Sequence, residues 1–215
     1  MKTSFYSYFL FTIFTVFLIS CDKKTNKENV ELNNKVLHQI KYSKGFDIQV
    51  NNKNKKLIIK APYPNTKETF EYIIELSSNI EKVDWKIPSI KTPIQKVVVT
   101  STTHIPMLEL LGVESTLIGF QNTQYVSSEK TRQRIDNGLV KELGKEFALN
   151  TETLLELQPD LVVGFAMTKT NKAYNLIEQN GIPVILNGDW LEETPLGRAE
   201  WIKFFGILFD KEKEA

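Results

Sequence analysis

The spacing of hydrophobic residues changes several times along the chain, and each change marks a boundary. Residues 9–19 are Phe, Leu, Ile and Val interrupted by two threonines and preceded by the positive Lys2. A run of this length is too short to span a bilayer comfortably and reads as an export signal over 1–21. Residues 22–34 are mostly Lys, Asn, Glu and Asp. They have too little apolar surface to offset the entropy of ordering, which predicts a tether over 22–40. Then the pattern alternates: Phe46, Ile48 and Val50; Leu57 and Ile59; Phe70, Tyr72, Ile74 and Leu76. This period of two predicts an antiparallel β meander over 41–92, turned at 51–54 and at Pro62-Tyr63-Pro64-Asn65.

From Lys96 the chain becomes α/β. Val97-Val98-Val99 is continuously apolar and is followed by Pro106, Met107, Leu108, Leu110 and Leu111, with Gly112 as a stop. A strand buried on both faces followed by a helix is the signature of a parallel βα unit. The pattern recurs in strands predicted at 116–119, 161–165 and 184–186. Between them lie a helix capped by Asn150 and ended by Pro159, and another closed by Asn180-Gly181. The alternation predicts a doubly wound parallel-sheet lobe over 93–193. Thr194 and Pro195 then open a helix over 194–215 whose Leu196, Ala199, Trp201, Ile202, Phe204, Phe205, Ile207, Leu208 and Phe209 cover most of its circumference. One lobe covers one side of such a helix. The expectation is therefore an apolar surface over 200–210 that awaits a partner, on a helix that continues through Lys211-Glu212-Lys213-Glu214.

Charge and composition narrow the chemistry. Lys+Arg 27 against Asp+Glu 26 leaves a net +1 with no basic cluster, which argues against nucleic acid. His38 and His104 are the two histidines and lie far apart, so a transition-metal site built from protein ligands is disfavoured, and no cofactor is expected. Gly-x-Ser-x-Gly, His-Glu-x-x-His and Gly-x-x-x-x-Gly-Lys are absent, and Glu192-Glu193 reads as a solvated loop, so the chain is not expected to be an enzyme. Cys21 is the single cysteine, and Leu18-Ile19-Ser20-Cys21 resembles the lipobox of bacterial lipoproteins. That resemblance makes Cys21 a lipid attachment point and the protein a membrane-anchored lipoprotein facing the periplasm or the cell exterior.

Several stretches occur in a telling order: Lys96-Val97-Val98-Val99-Thr100-Ser101-Thr102-Thr103-His104, Leu110-Leu111-Gly112-Val113, Leu154-Leu155-Glu156-Leu157-Gln158-Pro159-Asp160-Leu161-Val162-Val163, Asn180-Gly181-Ile182-Pro183-Val184 and Pro195-Leu196-Gly197-Arg198-Ala199-Glu200-Trp201-Ile202. Over 96–209 the chain resembles the helical-spine class of ABC-transporter substrate-binding proteins, which capture iron–siderophore, haem and cobalamin complexes. The resemblance implies two α/β lobes joined by a spine helix, with the ligand in the cleft between them and an ABC permease as partner. This chain would contribute the first lobe and the start of the spine.

Ligands of open parallel sheets bind beyond the carboxyl ends of the strands. The candidate contacts are therefore Thr103 and His104, Phe120 and Tyr125, Phe165, and Asp189 with Trp190, and Lys145 is a candidate for its positive charge. Lys169 and Arg134 are further sources of positive charge for an anionic ferric chelate. His104 can equally cap or pack, and Phe120 and Phe165 can equally be lobe core. Where the class places an acidic permease contact, near the start of the helix after the third strand, this chain has Asn171 between Lys169 and Lys172. Other readings are a lipoprotein sensor or partner-binding module on the same fold, an exported hydrolase, and a carrier of free metal, which the shortage of histidine disfavours.

Overall fold

The period-two segments pair with one another. β1 (Phe46–Val50), β2 (Lys55–Lys60) and β3 (Thr69–Leu76) form antiparallel neighbours. Their register sets Phe46 opposite Ile59, Ile48 opposite Leu57, and Leu57 opposite Tyr72. Alternate residues share one face of a strand, so this register puts Phe46, Ile48, Leu57, Ile59, Tyr72 and Ile74 on a single buried side. β4 (Ser89–Thr92) joins β3 in parallel and makes the sheet mixed. In the computed structural model the described residues are 39–50, 55–76, 87–144 and 148–215, within the unit Leu37–Ala215. The signal, Cys21, nearly all of the tether and Lys145 lie outside the described residues. No helix among the described residues is long and apolar enough to cross a membrane.

The second sheet is parallel throughout. β5 (Val97–Val99), β6 (Leu117–Phe120), β7 (Lys141–Glu142), β8 (Leu161–Gly164) and β9 (Val184–Leu186) stand in the order β7-β6-β5-β8-β9. Helices α1 (His104–Leu110), α2 (Glu129–Asp136), α3 (Thr151–Leu157) and α4 (Lys172–Gln179) intervene. The predicted punctuation works as its chemistry requires. Asn150 Oδ1 accepts from Thr153 N at 3.0 Å and Gly181 leaves α4 at φ +82, while Asn171, not read as a cap, accepts from Ala173 N and Tyr174 N through Oδ1. The polar two-residue β7 is held by backbone pairing to β6, with no apolar run to announce it.

The segment expected as one long helix is two, α5 (Pro195–Glu200) and α6 (Ile202–Phe209), which meet at Trp201. α6 stops because Asp210 takes the left-handed conformation at φ +56 and Lys211 N donates back to Gly206 O at 2.8 Å, a Schellman-type ending. The expectation of an exposed apolar surface over 200–210 is also corrected. Trp201, Phe204, Phe205 and Leu208 have no exposed area, and Phe209 has 4%. The first sheet supplies the second cover. Phe46 of β1 meets the Trp201 ring at 4.6 Å, while His104 of α1 meets Phe205 at 5.6 Å from the lobe side. The meander thus completes the core around the helix.

Two buried carboxylates fix this arrangement. Glu200 accepts the backbone N–H groups of Lys41, Tyr42 and Ser43 at 2.6–3.0 Å, and Lys203 Nζ at 3.2 Å. Glu192, expected in a solvated loop, is instead buried because it accepts from the Ser43 hydroxyl, from Lys44 N at 2.9 Å, from Gly45 N at 2.8 Å and from Trp201 Nε1 at 3.1 Å. Burial acts to raise the Glu200 pKa, but the three backbone donors and Lys203 outweigh it and hold the carboxyl below its ordinary 4.5. Replacing Glu200→Ala strands those donors and should cost about 2–4 kcal/mol in urea unfolding. Because the native pKa is the lower one, the stabilisation is present above pH 4.5 and is lost as pH falls below it. The variant should show a shallower acid loss than the parent as pH falls below 4.5.

Candidate functional site

Parallel pairing brings every strand's carboxyl end to one edge of the second sheet. From β5 the chain passes through α1 to β6 on one side, and from β8 through α4 to β9 on the other, while β5 and β8 are neighbours. Connections that leave adjacent strands in opposite directions open a crevice between the loops that follow them, which is where open α/β sheets bind ligands. Here those loops are 100–103 and 165–171.

The floor of the crevice is held by a closed hydrogen-bond ring. Phe165 N donates to Thr100 Oγ1 at 2.8 Å, and Tyr174 OH donates to Phe165 O at 2.9 Å. Tyr174 has one proton, so the 3.0 Å contact between Thr100 Oγ1 and Tyr174 OH has the threonine as donor. The tyrosine ring lies against Gly164, where a built Cβ would stand 2.9 Å from it, so the position admits only glycine without displacement. Burial raises the Tyr174 pKa, which keeps its proton on the oxygen for this bond. The ring of Phe165, half-buried, then packs against Trp190 with centroids 5.2 Å apart and the planes tilted by 53°. Trp190 comes from the 3-10 turn Asp189–Leu191 after β9, where Asp189 N donates to Asn187 Oδ1.

Across the sheet the loop after β6 is as firmly held. Glu142 of β7 accepts from Asn122 N, Thr123 N and Thr123 Oγ1, and Arg132 of α2 donates to the carbonyls of Thr123 and Val126. On this frame Tyr125 is 67% exposed. Thr103, also exposed, begins α1, and its hydroxyl pairs with Ser101 Oγ at 2.8 Å. Met167, 56% exposed, follows Phe165 on the same rim.

The sequence candidates thus divide. Thr103, Tyr125, Phe165 and Trp190 lie at the carboxyl edge with surface to offer. Phe120 does not; at 1% exposure it is core, because β6 turns it onto the side packed by Val126 and Val140. His104 and Asp189 are sealed beneath the rim, with Nε2 3.9 Å from Oδ1. Arg134 is spent on the carbonyls of Ser115 and Leu117, at the amino end of β6. Lys169 is paired with Glu68 at 2.6 Å. Asn171, at the place of the expected acidic contact, caps α4.

One contribution had no signal in the spacing. The loop 61–68 between β2 and β3 reaches the same edge: a Cβ built on Gly188 would lie 3.2 Å from Pro62 Cα, Tyr63 OH donates to Glu68 Oε2 at 2.9 Å, and Glu68 holds Lys169. Only the third dimension brings a meander turn beside strand ends more than a hundred residues later. A separate groove of about 320 Å³ lies at the opposite, amino end of β9, lined by Phe70, Tyr72, Pro88, Glu178 and Val184. Burial there raises the Glu178 carboxyl, and burial together with that carboxylate raises the Tyr72 hydroxyl. Its position away from the switch point separates it from the crevice.

The buried histidine has a measurable consequence. Neither ring nitrogen of His104 has a hydrogen-bond partner, nor do Asn187 Nδ2 and Asp189 Oδ1. Burial lowers the His104 pKa from 6.5 to about 4, with Asp189 and Asn187 opposing. The unfolded chain therefore takes up this proton first as pH falls. Stability should decline from pH 6.5 toward 4 by about 3 kcal/mol in total, and His104→Leu should flatten that segment of a pH-resolved denaturation series.

Comparison with known proteins agrees with this geometry. The chain is 23% identical over 197 residues to an uncharacterized lipoprotein of Methanocaldococcus jannaschii, covering 82% of this chain and 47% of that protein. A second uncharacterized protein of that organism is 23% identical over 145 residues, with coverages of 65% and 44%. The chain thus spans about half the length of the curated relatives it matches. A periplasmic binding protein from Veillonella parvula superposes with a TM-score of 0.50 at 18% identity, covering 78% of this chain and 50% of that one, and shares the fold. The periplasmic binding protein family matches residues 97–215, from the first residue of β5 through α6, and the chain belongs to that family.

Proposed function

We propose that the chain is the substrate-binding component of an ABC importer, exported and anchored through Cys21, and that it captures an iron–siderophore, haem or cobalamin-like complex. The observation that carries this reading is the carboxyl edge of the parallel sheet, where Phe165 and Trp190, from the loops after β8 and β9, pack together beside the switch point between β5 and β8, with Thr103 and Tyr125 on the same edge. Ring faces beside a few hydroxyls suit a large multi-ring chelate, because the rings bury area and the hydroxyls fix orientation. Lys145 belongs to this proposed contact set through its place after β7. Asp189 and His104 belong to it as support beneath the rim, since neither offers surface.

A lipoprotein sensor on the same fold is the second reading. Asn171 favours it, because an amide committed to capping α4 stands where a permease-docking acid is expected. Pull-down by the permease of the same cell separates the two: capture supports the importer, and ligand binding without capture supports the sensor.

Titration of the chain with ferric siderophores, haemin and cobalamin tests the reading itself. Trp190→Ala and Tyr125→Ala should each weaken binding by about 1–3 kcal/mol, or about 5- to 150-fold, with unfolding midpoints close to the parent. Unchanged affinity in both variants would assign the rings to structure. Cys21→Ser should move the protein from the membrane to the soluble fraction of the expressing cell; membrane retention would place the anchor elsewhere.

A further inference from the structure

Lys169 and Glu68 come from different sheets and meet at the crevice. Lys169 sits in the loop 165–171 that begins with Phe165, and Glu68 ends the loop 61–68 that abuts Gly188, two residues before Trp190. The ion pair therefore ties the meander loop to the rim loop that carries Phe165. It is built from one side only: Tyr63, itself 6% exposed, donates to Glu68 Oε2, whereas the Lys169 ammonium contacts Oε1 and extends from a loop with 69% of its side chain in solvent. The carboxylate is held in place, and the lysine comes to it. Lys169 and Tyr63 hold the Glu68 carboxyl below its usual range, and Glu68 raises Lys169, so both are charged at neutral pH.

We propose that Glu68 stands in for a carboxylate of the ligand: Lys169 is the anion contact of the rim, and a carboxylate-bearing chelate takes it over from Glu68 on binding. This rests on the proposed function and narrows its ligand class. The exchange replaces one lysine–carboxylate contact by another, so no charge is left unpaired on the lysine in either state. Glu68 thereby sets a threshold. Ligands with a carboxylate in reach can compete for Lys169, while uncharged ones gain nothing from it. An exposed pair of this kind contributes modestly, which makes it exchangeable.

Haemin against its dimethyl ester, and ferric citrate against ferrichrome and cobalamin, form the probe set, titrated at low and high salt. Glu68→Gln keeps an acceptor for Tyr63 and frees Lys169, so it should tighten haemin or ferric citrate about 3- to 5-fold. The gain should shrink at high salt and be absent for the ester, ferrichrome and cobalamin. Lys169→Gln should weaken the carboxylate probes by a similar factor, and the double variant should equal Lys169→Gln alone. Equal gains for charged and uncharged probes, or no change in Glu68→Gln, would overturn the exchange. Wild-type binding restricted to ferrichrome or cobalamin would overturn it while leaving the crevice reading intact. Binding of none of the probes would remove both.

Discussion

Trp201 is the residue on which the two sheets agree. Its ring meets Phe46 of the first sheet and Phe204 of its own helix, and its Nε1 donates to Glu192. Glu192 also takes the N–H groups of Lys44 and Gly45, so a single buried carboxylate ties the chain entering β1 to the helix that closes the lobe. A buried carboxylate is tolerable only with its lone pairs occupied, and here four donors occupy one oxygen. The same residue follows the Asp189–Leu191 turn, and its carbonyl accepts Arg198 Nε at 2.8 Å. The junction that joins the sheets thus also fixes the turn that carries Trp190 to the rim.

The elements legible in the sequence were those whose burial has a period. Val97-Val98-Val99 became a strand at those residues, because a central parallel strand is buried on both faces and tolerates no polar interruption, and Val184-Ile185-Leu186 became the edge strand with Val184 and Ile185 buried. Asn150, Asn180 and Thr194 ended or began helices for the hydrogen-bonding reasons that made them readable. β7 and α2 were illegible: Lys141-Glu142 pairs through backbone alone, and α2 buries one residue, Thr131. The closing helix misled for another reason. Its all-round apolarity correctly demanded two covers, but periodicity does not say which part of the chain supplies the second, and β1 and β2 do so from the amino-terminal side.

The site was partly legible for the same reason. Strand ends are positions in sequence, so Thr103, Tyr125, Phe165 and Trp190 could be placed at one edge as soon as the sheet was taken to be parallel. Depth was not readable. Phe120 and Phe165 both follow apolar strands, yet Phe120 is turned into the core, while Thr100 and Tyr174 grip the backbone of Phe165 and leave its ring toward Trp190. Long-range contacts were not readable either, since no local pattern joins Glu68 to Lys169.

What distinguishes the rim is that its exposed side chains stand on loops with little freedom of their own. Glu142 and Arg132 fix the backbone beneath Tyr125, and the Thr100–Tyr174–Phe165 ring fixes the end of β8. Side chains presented this way lose little entropy on contact with a ligand, because their backbone is ordered beforehand. Against this rigid background Lys169 is the softer contact. Lys169 is long, mostly exposed and paired with Glu68 of the loop between β2 and β3, so its side chain has more freedom than the aromatic rings of the rim. Under the proposed exchange, a rigid apolar face combined with an exchangeable charge would let shape determine how a ligand seats and let its carboxylates determine whether the lysine joins it.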